Sequence, residues 1–135
     1  ATADRFLNEG SVLPGGEAIP KLIAPASLKR NPGIAVGVYT MIAQTPPAGA
    51  AAALRGRALR KDYTASLARI AVPALIVVGT HDAYTSVETA TQMHQSIPHS
   101  RLEVFQGIGH MPNLEDTDRF NAVLHDFLAN IPTTP

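Results

Sequence analysis

The stretch Pro73-Ala74-Leu75-Ile76-Val77-Val78-Gly79-Thr80-His81-Asp82 decides the fold. Its apolar run is short, rich in β-branched residues, opened by a proline and closed by a glycine, which favours a strand over a helix. Being apolar without alternation, it predicts a parallel strand buried on both faces. Thr85 and Glu88 have the spacing of a capping box and predict a helix from near Ser86 to about Ser96, ended by Ile97-Pro98. Arg101-Leu102-Glu103-Val104-Phe105 alternates as a second strand, and Gly107-Ile108-Gly109-His110 follows as a loop. Asp116 or Thr117 then caps a last helix, whose apolar residues Phe120, Val123, Leu124, Phe127 and Leu128 form one stripe. Strand, helix, strand, helix reads as a right-handed parallel α/β unit.

The half before this unit has a different texture. It is rich in Ala, Gly and Pro, punctuated at Pro14-Gly15-Gly16, Asn31-Pro32-Gly33 and Thr45-Pro46-Pro47. Helices are expected at Ile19 to Leu28, at Ile34 to Gln44 with Val36, Tyr39 and Ile42 on one side, and at Ala48 to Leu59. Arg55, Arg57, Arg60 and Lys61 complement the dipole at the end of the third. No strand pattern and no internal repeat are visible in this half. Two parallel strands do not make a stable sheet alone, so something outside this sequence is expected to complete it.

Composition narrows the class. With 135 residues the chain suffices for one ordinary domain, and 11 Lys plus Arg against 11 Asp plus Glu give no net charge. That balance argues against a nucleic-acid binder, which needs a basic surface. At 45% hydrophobic and 16% charged residues the chain is not a disordered one. No apolar run approaches the roughly 20 residues of a membrane span, and Ala1-Thr2-Ala3-Asp4-Arg5 has no signal pattern. The absence of cysteine removes disulfides, thiolate metal sites and cysteine nucleophiles, and fits a cytoplasmic location.

Functional groups of open parallel sheets lie beyond the carboxyl ends of the strands. Asp82 follows the first strand and His110 the second, so adjacent strands would bring both to one edge. An Asp–His hydrogen bond there would orient an imidazole and stabilise its protonated form. Taken singly, an Asp in such a place is commonly a helix N-cap, and a His in a glycine loop is commonly a solvated surface residue.

Together these segments resemble the α/β-hydrolase superfamily, in its esterase and enol-lactonase-like branch. Leu67 to Asp82 is similar to the family's penultimate core strand and acid turn, Leu102 to Glu115 to its last strand and histidine turn, and Phe120 to Leu128 to its closing helix. Ala48 to Asp62 resembles the end of the family's cap. The resemblance implies a helical cap over residues 1–62 and the C-terminal part of the core over 63–135. It implies Asp82 as triad acid, His110 as general base, no cofactor, and an ester or lactone as substrate. Met111, next to His110, is a candidate substrate contact, whereas Met41 is expected in ordinary core packing. His81 is expected to be exposed or packed in its loop. His94 and His99 fall in the helix end and turn, and His125 on the polar side of the last helix. None of these forms a metal-ligand pattern.

The family's nucleophile sits in a G-x-S-x-G elbow between a strand and a helix. Ser11, Ser27, Ser66, Ser86, Ser96 and Ser100 all lack that context, and the oxyanion-hole segment is missing too. The resemblance therefore implies a C-terminal half that works with an N-terminal partner segment, which also accounts for the unfinished sheet. Cleavage of C–C bonds, perhydrolysis and epoxide opening stay open. The alternative is a non-catalytic module that self-associates, as a homo-oligomer, through its free sheet edge and apolar cap.

Overall fold

A computed structural model describes residues 2–131. Among them, five helices come first: α1 (Thr2–Glu9), α2 (Val12–Leu22), α3 (Pro25–Arg30), α4 (Gly33–Ala43) and α5 (Pro47–Ala58). A 3-10 turn (Thr64–Arg69) leads into β1 (Ala74–Gly79), α6 (Val87–Ser96), β2 (Ser100–Phe105), α7 (Pro112–Glu115) and α8 (Thr117–Ala129).

The helical half differs from its expected outline at the front. Pro14-Gly15-Gly16, expected as a break, lies inside α2. Pro14 falls in the first turn, where the missing N–H has no intrahelical acceptor to lose. Gly15 lets α2 approach α4, since a Cβ there would meet Ile42 Cγ2 at 2.9 Å. The single helix expected at Ile19 to Leu28 is instead split at Ile23-Ala24, because Pro25 restricts the residue before it to extended backbone. In α4 the buried residue is Val38, flanked at four-residue spacing by half-buried Ile34 and Ile42, while Val36 is 66% exposed. Met41, expected in the core, is 59% exposed.

α1 packs between α2 and α5, with Ala3, Phe6 and Ala51 buried together against Ile42 and Leu54. Arg5 binds both Glu9 and Glu17, and Arg55 binds Asp4, so ion pairs line the α1 seams. Exposed pairs of this kind contribute little each; the apolar contact carries the packing.

The strand half follows the expected order. β1 and β2 run parallel, with Ala74 opposite Ser100 and Gly79 opposite Phe105. α6 packs on both strands. Its cap is one residue later than expected: Ser86 Oγ accepts from the Thr89 amide, so Thr85 is not the cap and Glu88 lies in the first turn. Asp116 precedes α8 but makes no side-chain cap bond. α8 is tied to β2 by Arg119, which stacks 3.9 Å over the Phe105 ring, and by an Arg101–Asp126 ion pair. Its apolar stripe is only partly covered, with Leu128 56% exposed. β1 corrects a further expectation: only Val78 and Gly79 are buried, the rest half-buried. The described residues offer β1 a single strand partner and a helical layer, so its apolar faces are incompletely covered. No helix among the described residues is long and apolar enough to cross a membrane.

Candidate active site

The two strand ends are held side by side by their loops. Thr80 N–H donates to Phe105 O at 3.0 Å, His81 N–H to Ile108 O at 2.8 Å, and Gly107 N–H to Thr80 Oγ1 at 2.9 Å. Gly107 turns the second loop with φ +73°, a conformation glycine adopts without strain. These bonds place Asp82 and His110 at one edge. His110 Nδ1 lies 3.0 Å from Asp82 Oδ1 and 2.9 Å from Oδ2.

The carboxylate is an acceptor only, so this contact assigns the proton to Nδ1 and leaves Nε2 with a lone pair. Nε2 has no partner among the described residues, and the imidazole is 39% exposed while the Asp82 side chain is 7% exposed. Burial pushes the Asp82 carboxyl up, but hydrogen bonds from His110 and from the Tyr84 and Thr85 amides outweigh it and hold the carboxyl below its ordinary range. Asp82 therefore also does the local work of an Asx turn leading toward α6. The arrangement is a buried carboxylate behind an imidazole whose outer nitrogen is open, which suits proton transfer to and from a reacting group.

Tyr84 extends this edge toward the helical half. Its ring centroid lies 4.9 Å from that of His110, and the Arg57 guanidinium sits 5.4 Å over its face. Beyond Tyr84 opens a cavity of ≈ 820 Å³, lined mainly by apolar groups such as Phe6, Pro14, Ile42 and Leu54. That volume is in the range of small-molecule sites. Arg55 and Arg57, expected only to complement a helix dipole, thus make tertiary contacts as well.

The other candidates separate clearly. Met111 is half-buried and lies outside the walls of that cavity; Met41 lines a smaller depression with Val38 and Leu114. Ser11 is buried and donates to Thr45 O at 2.6 Å, a structural bond. His94 Nδ1 meets Ser100 Oγ at 2.8 Å, but that hydroxyl also reaches the carbonyls of His94 and Ile97, which commits its proton to backbone. His81, His99 and His125 are exposed. Among the described residues no group of three His, Cys, Asp or Glu is placed to hold a metal.

Sequence reasoning missed Glu115. It is 4% exposed, and its carboxylate accepts from the amides of Ala24 (2.9 Å), Gly109 (3.0 Å to each oxygen) and Met111 (3.1 Å). The available signal was slight: Pro112 opens a helical turn, from which an acid at its end can reach back to the preceding amides.

Residues 2–117 match the family model described as alpha/beta hydrolase fold. A thermophilic esterase from Thermogutta terrifontis superposes with a TM-score of 0.92 and 32% identity, over 98% of this chain and 48% of its own. The enol-lactonase from Burkholderia xenovorans LB400 superposes with a TM-score of 0.88 over 96% of this chain and 49% of its own; at 23% identity it speaks to the fold alone. A proline iminopeptidase from Lactobacillus delbrueckii subsp. bulgaricus is 37% identical over 67 residues, which is 50% of this chain and 22% of that protein. The chain thus spans about half of the solved relatives (48% of the esterase), and its match to the iminopeptidase spans 22%.

Proposed function

The chain belongs to the alpha/beta hydrolase fold family, and on that premise we propose that it supplies the acid and the general base of a serine-type hydrolase of carboxylic esters or lactones. Asp82 is the acid and His110 the base. The nucleophile and the oxyanion donors come from an N-terminal segment outside this sequence. Residues 1–62 form the cap and residues 63–135 the C-terminal part of the core. The observation that carries the reading is the Nδ1 contact of His110 to both Asp82 oxygens, with Nε2 open.

The chemistry follows from those groups. Nε2 takes the proton of the nucleophile's hydroxyl as its oxygen attacks the substrate carbonyl carbon. Asp82 stabilises the imidazolium so formed without itself accepting the proton. His110 then returns the proton to the leaving alkoxide, and a water repeats the sequence on the acyl-enzyme. Such acid–base work contributes on the order of 10²–10⁴ in rate. The apolar cavity beyond Tyr84 suits an acyl or cyclic group, and Met111, outside the walls of that cavity but next to His110, is a substrate contact on the histidine loop. No step needs a cofactor, and a cytoplasmic enzyme free of nucleic acid and membrane partners suits the cysteine-free, charge-neutral sequence.

The test is His110→Ala in the polypeptide that carries this sequence, assayed on short-chain esters and lactones. Loss of turnover with the fold retained is expected, as is fluorophosphonate labelling of a serine outside these residues. Retained turnover defeats the reading. A second reading, a non-catalytic module, is favoured by the free outer edges of β1 and β2 among the described residues. Native mass spectrometry separates the two: a homodimer built of two 14.3 kDa chains that no fluorophosphonate labels supports the module.

A further inference from the structure

We infer that Glu115 is a positioning residue for His110, coupling the aim of the imidazole to the seating of the helical half; this rests on His110 being the general base. Three successive amides hold the histidine loop. Those of Gly109 and Met111, on either side of His110, donate to the Glu115 carboxylate. The amide of His110 itself donates to Leu22 O at 2.9 Å. The same carboxylate accepts from Ala24, in the connection between α2 and α3. Arg30 of α3 adds a strap, its Nη2 donating to the Glu115 carbonyl at 2.6 Å.

The helical half and the histidine loop therefore share one buried anchor. The packing around it is tight: a Cβ on Gly109 would lie 2.7 Å from Ala24 N, 2.9 Å from Glu115 Oε1 and 3.0 Å from Leu22 O. A shift of the α2–α3 connection is passed to the backbone of His110 because no slack separates them. The chemistry selects a carboxylate. All its partners are donors, and both oxygens accept. A glutamine of the same shape would turn an NH₂ group onto N–H groups and leave donors unsatisfied.

The experiment uses the polypeptide that carries this sequence, with Glu115→Gln, Arg30→Ala, the double variant and His110→Ala. Glu115→Gln is expected to lower kcat on the order of tenfold to a hundredfold while KM moves less than about threefold, the signature of a displaced reacting group. Arg30→Ala should lower kcat less, and the double variant should fall no further than Glu115→Gln, since both loosen one anchor. The Nδ1 proton resonance of His110 should move upfield in Glu115→Gln as its bond to Asp82 loosens. Unchanged kcat in folded Glu115→Gln, or losses confined to thermal stability and additive between the two sites, overturns the inference. Should Glu115→Gln fail to fold, Arg30→Ala decides: lowered kcat supports coupling and unchanged kcat refutes it. An active His110→Ala overturns the reading of the base and the inference with it. A dead His110→Ala beside a fully active Glu115→Gln overturns the inference alone.

Discussion

Gly79 and Gly109 meet where β1 runs under the histidine loop, and a Cβ on Gly79 would lie 2.2 Å from the Gly109 carbonyl oxygen. The carbonyl of Ile108 is equally close, at 2.2 Å. Both obstacles are backbone, so no side-chain rotation relieves them. Gly79→Ala is expected to destabilise the fold by about 3 kcal/mol or more, at the upper end for overpacking. Urea unfolding followed by circular dichroism measures it; a loss below about 1 kcal/mol would show that the loop yields freely.

Asp82→Asn tests the carboxylate behind the imidazole. The amide keeps the shape but can present a donor to Nδ1, which favours the wrong tautomer. Turnover in the polypeptide that carries this sequence should fall by about ten-thousandfold with the secondary structure unchanged. Steady-state kinetics on one ester, with far-ultraviolet circular dichroism as the folding control, gives the answer.

The depressed Asp82 carboxyl also sets a pH dependence. Because its folded-state pKa lies below its unfolded value, the unfolded chain binds the proton more readily. The stability this group contributes is complete above the unfolded value of about 3.9 and is lost as the pH falls through the lower, folded value. Urea midpoints measured from pH 6 down to 2.5 should therefore drop less steeply below about pH 4 in Asp82→Asn than in the parent chain. Parallel curves would mean that the His110, Tyr84 and Thr85 bonds leave the carboxyl unshifted.

The cap of α6 can be assigned by substitution. Ser86→Ala should cost about 1 kcal/mol, because the Thr89 amide loses its acceptor. Thr85→Ala should stay within about 0.5 kcal/mol, since the Thr85 contact to Asp82 runs through its backbone amide. Paired denaturant titrations distinguish them, and the reverse order of losses would move the cap back to Thr85.

Arg57 and Tyr84 join the helical half to the edge that carries His110. Arg57→Ala should cost about 0.5–1 kcal/mol in stability, the worth of an exposed cation over an aromatic face. Tyr84→Phe should cost almost nothing, because the ring and not the hydroxyl makes the contact. Thermal melts of both variants, run beside Arg60→Ala as a surface control, check the contrast.

The strand order and the Asp82–His110 pair were legible because both depend on short-range pattern plus one topological rule. Parallel neighbours place their carboxyl-end loops together, whatever the detail of the loops. The front helices were less legible. Pro14 and Gly15 are breakers by composition, yet one falls where a helix needs no N–H and the other where a second helix presses close. Val36 looked as apolar as Val38, but only contact with other helices decides which is covered. Glu115 was out of reach for a different reason. Its partners are backbone amides, which carry no residue identity, and one of them belongs to Ala24, 91 residues earlier in the chain.

That separation has a consequence for how the chain comes into being. Synthesis at about 5–20 residues per second puts Ala24 ahead of Glu115 by roughly 5–18 s, far longer than helices need to form. The Ala24 amide therefore cannot meet its carboxylate acceptor until the histidine loop has been made, however early the front helices form. The contact that joins the helical half to the histidine loop is thus a late one by order of synthesis, formed between parts that are made far apart in time.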